Sequence, residues 1–138
     1  MTAHRKMLRD AARAALAAAL PGWRLPRSLA HALDTEALPV AIVTVPGETS
    51  GGGAQDMLRR DVSVSVILRI EGGDEIEDVL DGHAALVESA VGPALDGTPV
   101  AMVTELAETR IQLAGDGARR IGQVELRWTC IVNTNLPG

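Results

Sequence analysis

The sequence contains no phenylalanine and no tyrosine, and tryptophan occurs only at Trp23 and Trp128. Sheets that bind single-stranded RNA stack bases on aromatic side chains, so this composition disfavours an RNA-binding sheet. Hydrophobic residues still make up 46% of the chain, which predicts a folded protein rather than a disordered one. The core must therefore be built from Leu, Val, Ile, Ala and Met.

Cysteine is nearly absent as well, because Cys130 is the only one. A single cysteine excludes an internal disulfide and favours a reducing compartment. Cys130 falls on the apolar face of a predicted strand, where it behaves as a small buried hydrophobe and not as an activated nucleophile. His4, His31 and His83 lie at no spacing that is typical of metal ligands. The sequence predicts no catalytic residue, no cofactor and no metal site, so an enzyme is the least favoured reading.

Basic charge is scarce too, since Lys6 is the only lysine and the formal net charge is −5. Affinity for nucleic acid comes mainly from neutralising phosphates, so an acidic chain is a poor general nucleic-acid binder. No apolar stretch reaches the roughly 18 residues that a membrane-spanning helix needs, and Asp10 and Arg13 interrupt the N-terminal alanine-rich run, so we expect neither a span nor a signal peptide. The 138 residues predict a single domain, 1–138.

Hydrophobic periodicity predicts two helices and four strands. In chain order they are a helix over 3–20, strands over 38–45 and 59–70, a helix over 74–91, and strands over 100–113 and 120–132. The second strand is the clearest element, because valines alternate with polar residues from Val62 to Ile70, as in a strand with one buried face. The order predicts an α+β fold, α-β-β-α-β-β, with an antiparallel four-stranded sheet and two helices packed on one face.

Local signals give the expected details of the second helix and the last hairpin. Asp74 is suited to cap the helix, and Gly92-Pro93 is expected to end it. The "AGDG" stretch, Ala114 to Gly117, has the chemistry of a hairpin turn. Trp23 to Glu36 is compatible with a helical turn or a loop. The residues expected on the buried side of the second helix are Ile76, Val79, Leu80, Leu86, Val87 and Ala90.

The glycine-rich stretch "PGETSGGGAQDM", Pro46 to Met57, follows the first strand. A phosphate-binding loop needs a lysine and a following helix, whereas this stretch has no lysine and leads into a strand. It is therefore predicted to be a long mobile loop. Because long hairpin connections are often functional, an arm that becomes ordered against a partner is the alternative.

Two charged surfaces are expected on the helices. Arg5, Arg9 and Arg13 recur every four residues and form a basic stripe on the first helix. The stripe is either a solubilising face or a contact for an acidic surface, such as the second helix of a neighbouring copy. The acidic residues of the second helix are expected to form a solvated face.

Several local phrases, together with this layout, resemble one known family. They are the opening Leu38-Pro39 of "LPVAIVTVPGET", its Pro46 and Glu48, and the helix "DEIEDVLDGHAALVESAV", in which Leu80-Asp81 is followed by Val87-Glu88. From about Arg5 to Val132 the chain resembles the tail-terminator family of long-tailed phages, the lambda-like minor tail proteins that cap the tail tube, and the related neck and tail-completion proteins.

The resemblance implies a structural, non-enzymatic protein that forms a homohexameric ring. Such a ring ends the tail tube, meets the head–tail connector or stopper protein, and lets DNA pass through its lumen. It implies a place at the tail–head junction of a phage, prophage or gene transfer particle, and in the bacterial cytoplasm during assembly, with no membrane partner. The interface candidates are Arg5, Arg9, Arg13, Glu48, Ser50, Gly52, Gln55 and Asp116.

A small ferredoxin-like module that binds a regulatory ligand is the alternative from another class. Such a module needs a pocket with convergent polar groups. The two readings differ in assembly state, because a ring is a sixfold assembly, whereas the module would be a monomer or dimer that a metabolite stabilises.

Overall fold

The computed structural model describes residues 4–27, 38–52, 57–116 and 119–135. The four strands form one antiparallel sheet in the order β1-β2-β4-β3, and both helices pack on the same face. This arrangement confirms the predicted α+β fold and its α-β-β-α-β-β order. The elements are α1 (His4–Ala19), β1 (Val40–Gly52), β2 (Met57–Gly72), α2 (Ile76–Asp96), β3 (Ala101–Asp116) and β4 (Arg119–Asn135).

The core lies between the helices and the two central strands. The alternating valines of β2 are buried, as predicted, and Val64 lies opposite Trp128 of β4 in the ladder. Strand pairs put directly opposite residues on the same face of the sheet. The two strands therefore present one continuous apolar surface to the helices. Its members are Val62, Val64, Val66, Leu68, Ile70, Val124, Leu126, Trp128, Cys130 and Val132.

The first helix covers this surface with a narrow stripe of residues spaced four apart. Leu8, Ala12 and Leu16 are fully buried, and His4 at the first turn is 3% exposed. Between the two leucines, the small side chain of Ala12 leaves room for α1 to lie close to its packing neighbours in the core. Helix α1 packs mainly on α2 and, in the sheet, on β1, whereas α2 packs on β4 and β3.

Helix α2 does not end at Gly92-Pro93, as the sequence predicted, but continues to Asp96 with Pro93 inside it. Proline within a helix costs about 3 kcal/mol. Leu95, however, is fully buried one half-turn later, and burying such a side chain contributes about 1.5–3 kcal/mol. Tertiary packing of the last turn therefore offsets a local signal that would end the helix.

Two predicted core positions of α2 are wrong. Val79 is 45% exposed and Leu86 is 51% exposed, and Ala90 is only half-buried. The buried stripe instead runs through Ile76, Leu80, Ala84, Val87, Val91 and Leu95. Alanines broaden the apolar arc of this helix, so periodicity alone could not locate its centre. The predicted cap at Asp74 is also wrong, because the N-cap residue is Glu75, without a side-chain capping bond.

The predicted loop over Pro46 to Met57 is largely strand. β1 runs on to Gly52 and β2 begins at Met57, with Gly52 opposite Leu58 in the ladder. The register shifts between Thr44 and Gly47, which allows Pro46 to sit in an edge strand without a ladder hydrogen bond. Within the described residues the strand pairing includes Gly51 and Gly52, two of the glycines that suggested a loop. Gln55 lies outside the described residues.

The second hairpin also extends further than the sequence predicted. Ala114, Gly115 and Asp116 belong to β3, with Asp116 opposite Arg119, so they are not turn residues. Gly115 has φ 98°, which a residue without a Cβ adopts at little cost. Most of the ambiguous segment Trp23 to Glu36 lies outside the described residues. Its first part is extended at Arg24, which forms a parallel bridge with Val40.

Candidate functional site

The single cysteine and the described histidines lie on different elements of the fold. Burial raises the pKa of the Cys130 thiol, against a weaker lowering by the Thr104 hydroxyl 3.7 Å away. A buried thiol with a raised pKa is a weak nucleophile. His4 and His83 lie on different helices, and His31 is outside the described residues. Within the described ranges, no three His, Cys, Asp or Glu side chains are grouped as metal ligands, and no helix is long and apolar enough to cross a membrane.

One surface depression lies at the start of α2, next to the residues that precede β1. Trp23 meets the His83 ring edge to face, with the centroids 4.9 Å apart. The depression has a volume of about 230 Å³, and its other lining residues are Leu38, Pro39, Ile70, Glu71 and Val79. This volume is below the roughly 300–1,000 Å³ that is typical of small-molecule sites. His83 and Glu71 are its only ionisable lining residues.

Glu48 is the centre of a partly buried charge network at the end of the sheet where α1 begins. Its carboxylate accepts a hydrogen bond from Arg60 at 2.7 Å and lies 3.1 Å from His4 Nε2. Arg5 is 3.7 Å away, and Arg60 also donates to the Thr134 hydroxyl at 2.8 Å. Burial favours a higher pKa of Glu48, but the hydrogen bonds from Arg60 and His4 outweigh it and the pKa is lowered. The network therefore ties α1 to three strands.

The basic stripe of α1 follows the β1 edge of the sheet. The Arg5 guanidinium donates to the Val45 carbonyl at 3.0 Å, and that of Arg13 donates to the Arg27 carbonyl at 2.7 Å. Arg9 lies between them on the same side of the helix. The stripe therefore has a third role besides the two predicted ones, since two of its arginines donate hydrogen bonds to backbone carbonyls of their own chain.

Several charged side chains on the sheet face opposite the helices are paired with one another. Arg110 lies 2.7 Å from Glu108, and Arg59 lies 3.0 Å from Asp61. Glu125 accepts hydrogen bonds from Ser65 at 2.6 Å and from Arg127 at 3.2 Å. The Ser65 bond is the main reason that the pKa of Glu125 is lowered, and Arg127 adds to it. Each of these arginines already has an acidic partner.

The two edges of the sheet differ in how far they are closed. Along β1, Ala41 N–H donates to the Arg24 carbonyl at 2.9 Å and Arg5 occupies the Val45 carbonyl. Pro46 and the register shift beside it also interrupt the row of backbone groups that β1 exposes at this edge. These are devices that prevent a strand edge from pairing with another chain.

The β3 edge has register shifts of its own, between Ala101 and Val103 and between Leu106 and Glu108, but among the described residues no segment other than β4 hydrogen-bonds to it. β3 pairs only with β4, and every side chain from Glu105 to Gly115 is exposed. Leu106, Ile111 and Leu113 lie opposite residues of the helix-covered face of β4, yet they are 41–46% exposed. Met102 and Val103 are exposed as well. We call Leu106, Ile111 and Leu113 the β3 apolar row.

An acidic flank of α2 accompanies the β3 apolar row. Val79 and His83 line the depression next to Trp23, so that side of α2 faces β1. Helical geometry puts Glu77, Asp81 and Glu88 on the opposite side of the buried stripe, which faces β3. All three are exposed. We call these three residues the α2 acidic flank.

The structure brings together only some of the predicted interface residues. Arg5 and Glu48 are in contact, and Ser50 and Gly52 continue β1 beyond them. Asp116 is far from Glu48. It pairs with Arg119 at the start of β4, whereas Glu48 is aligned through β2 with Cys130. At 3.3 Å per residue these two positions of β4 are about 36 Å apart. The sequence analysis missed Arg60 as a partner of Glu48 and missed the β3 apolar row. The sequence held one signal for the row. In "TELAETRIQL" the apolar residues neither alternate regularly, as in a strand buried on one face, nor form a continuous run, as in a strand buried on both faces.

Comparison with protein-family models and with curated proteins gave no match.

Proposed function

We propose that this protein is a structural subunit of a phage-like particle, a tail terminator that forms a homohexameric ring on the tail tube and joins it to the head connector. The proposal combines the family resemblance of the sequence with the exposed β3 edge. That edge is the observation that carries the proposal. A long strand with one unpaired edge and large exposed apolar side chains promotes aggregation in a monomeric protein. A neighbouring subunit would cover it.

The charge arrangement of the uncovered sheet face supports a role in which DNA passes without being held. Arg110, Arg59 and Arg127 are paired with acidic side chains, so they would have to give up these partners to bind phosphates. Binding to DNA gains its affinity by releasing counterions from phosphates, which needs uncompensated positive charge. The face is therefore suited to contact with DNA in transit.

We expect the purified chain not to retard a short DNA duplex at about 150 mM salt. Glu108→Gln combined with Glu125→Gln leaves Arg110 and Arg127 without their acidic partners, so this variant is expected to bind DNA in a salt-dependent way. Each freed arginine that contacts a phosphate adds roughly 0.9 to the slope of log K against log salt. An electrophoretic mobility shift across a salt series measures it. Strong binding by the unaltered chain would contradict a transit role.

The assembly state tests the proposed function directly. We expect mass photometry to find a particle of six times the 14.5 kDa chain mass, either for the chain alone or after mixing with tail-tube protein from the same particle. Electron microscopy of capped tubes is expected to show one ring at the end of each tube. A chain that stays monomeric or dimeric under both conditions contradicts the proposal.

A ligand-binding regulatory module is the second candidate, and the depression beside Trp23 and His83 is the observation that favours it. Its small volume and its two ionisable residues make it the weaker candidate. Thermal stabilisation by a metabolite, lost in His83→Ala, would favour the module, provided that no sixfold particle forms.

A further inference from the structure

We propose that neighbouring copies meet head to tail, with the β3 apolar row and the α2 acidic flank of one copy against the α1 arginine stripe of the next. The inference deepens the proposed function and rests on it, since it names the two surfaces that would make the ring. The partner is a second copy of this chain.

The positions of the two surfaces are the first argument. Arg5 donates to the Val45 carbonyl of β1, and β1 is the strand that α1 contacts most, so the stripe lies towards the β1 edge. The α2 acidic flank lies on the β3 edge, and β1 and β3 are the two outer strands of the sheet. Opposite charges thus sit at opposite edges of one molecule. Two different complementary surfaces produce a heterologous contact, which closes into a ring when the rotation between copies allows it.

The exposed apolar area is the second argument. Leu106, Ile111 and Leu113 form a row beside the acidic flank, and each is more than two-fifths exposed. Arginine side chains bury their aliphatic stems on apolar surface while the guanidinium reaches a carboxylate. The α1 stripe can therefore cover the apolar row and pair with the acidic flank at once.

The alternatives for the β3 edge are less favourable. If two β3 edges paired with each other, the acidic flanks of both copies would come together, and like charges across an interface are costly. If β3 added to β1 of the next copy as a strand, it would have to displace Arg5 from the Val45 carbonyl and Arg24 from Ala41. The helix-side contact needs neither change.

Charge reversal tests the contact. Arg9→Glu reverses the middle of the stripe, and Asp81→Lys with Glu88→Lys reverses the acidic flank. We expect each to lower the association constant between copies at least about tenfold, because like charges then face one another. Lys6→Glu makes the same charge change on α1 at a residue beside the stripe whose side chain is 72% exposed and pairs with Asp10. It is expected to weaken assembly less than Arg9→Glu does.

Mixing the two reversed chains supplies the decisive result. Neither reversed chain alone is expected to form large particles. In an alternating mixed ring every contact has opposite charges again, because the glutamate introduced by Arg9→Glu meets the lysines introduced into the flank of the other chain, while the unaltered flank of the first chain meets the unaltered stripe of the second. Mixed particles with equal numbers of the two chains are therefore expected. Leu106→Gln with Ile111→Gln is expected to weaken assembly similarly, whereas Leu86→Gln, an equally exposed leucine on the other side of α2, is not.

The outcomes separate this inference from the proposed function. If the unaltered chain forms sixfold particles and the reversed chains do so equally well, the interface is wrong and the ring remains. If the reversed chains fail but mixing never yields particles that contain both chains, the head-to-tail pairing is overturned. If the unaltered chain never assembles, even with tube protein, both proposals are wrong. Circular dichroism of every variant shows whether a loss of assembly reflects loss of folding.

Discussion

Gly122→Ala is expected to destabilise the fold by about 1–3 kcal/mol, as overpacking of a well-packed core does. A Cβ at this position would lie 2.6 Å from Leu80 Cδ1 and 3.0 Å from Ile76 Cδ1. Both side chains are buried and form the first turns of α2 against β4. The contacts are with the ends of two side chains, so Leu80 and Ile76 must shift, and their fully buried surroundings make that shift costly. Thermal and urea unfolding, analysed together, measure the change in the free energy of unfolding.

Gly82→Ala is the matched control for this substitution. Gly82 lies inside α2, and a Cβ there meets nothing within 4 Å. Since glycine in a helix interior is about 0.5–1 kcal/mol less favourable than alanine, this variant is expected to be more stable than the unaltered chain. The same chemical change thus has opposite expected signs at the two sites. If Gly122→Ala were as stable as Gly82→Ala, the close approach of α2 to β4 would be wrong.

Glu48→Gln is expected to cost about 1–3 kcal/mol at neutral pH, because it leaves the half-buried Arg60 guanidinium without its charged acceptor. His4 and Arg5 lose the same partner. The effect is structural, since the network joins the start of α1 to the last part of β1 and the first part of β2. Equilibrium unfolding in urea measures it, and Glu105→Gln on the exposed face of β3 is the control, expected to change stability by less than about 0.5 kcal/mol.

The cost of Glu48→Gln is expected to depend on pH. The folded-state pKa of Glu48 is lowered from its ordinary value of 4.5, so the folded protein holds the charged form more tightly than the unfolded chain does. Its contribution to stability is fully present above pH 4.5 and is lost as the pH falls through the folded-state pKa. The difference between the two proteins should therefore shrink below pH 4.5. A difference that stays constant down to the acid transition would show that the charge on Glu48 is not what ties α1 to the sheet.

Hydrophobic periodicity was sufficient to predict the type of an element and its core residues where one face of that element is buried along its whole length. The valines of β2 and the alternation of β4 predicted strands, and the core contains the residues that these patterns selected. Periodicity failed where burial is partial or unusually broad. The apolar arc of α2 includes Val79 and Leu86, which are exposed, and omits Leu95, which is buried. Local breakers failed for a related reason, since Pro93 and the glycines of Gly51-Gly52 lie within a helix and a strand.

The candidate interface was less predictable than the fold. The four-residue spacing of Arg5, Arg9 and Arg13 was readable from the chain, because it needs only helical geometry. The partners of Arg5 were not readable, since Glu48 is 43 residues away and meets it only after β1 folds beside α1. Likewise, no local pattern predicts that Arg5 and Arg24 form hydrogen bonds with the edge strand β1 while the outer edge of β3 stays exposed.

The order and type of the elements, the one-sided burial of β2 and β4, and the scarcity of reactive groups were determined by the sequence itself, because they depend on periods of two and 3.6 residues and on composition. The strand order β1-β2-β4-β3, the Glu48 network and the opposite charges of the two edges were decided by tertiary structure. Each of these depends on contacts between residues far apart in the chain, and such contacts form only when the helices and strands pack together.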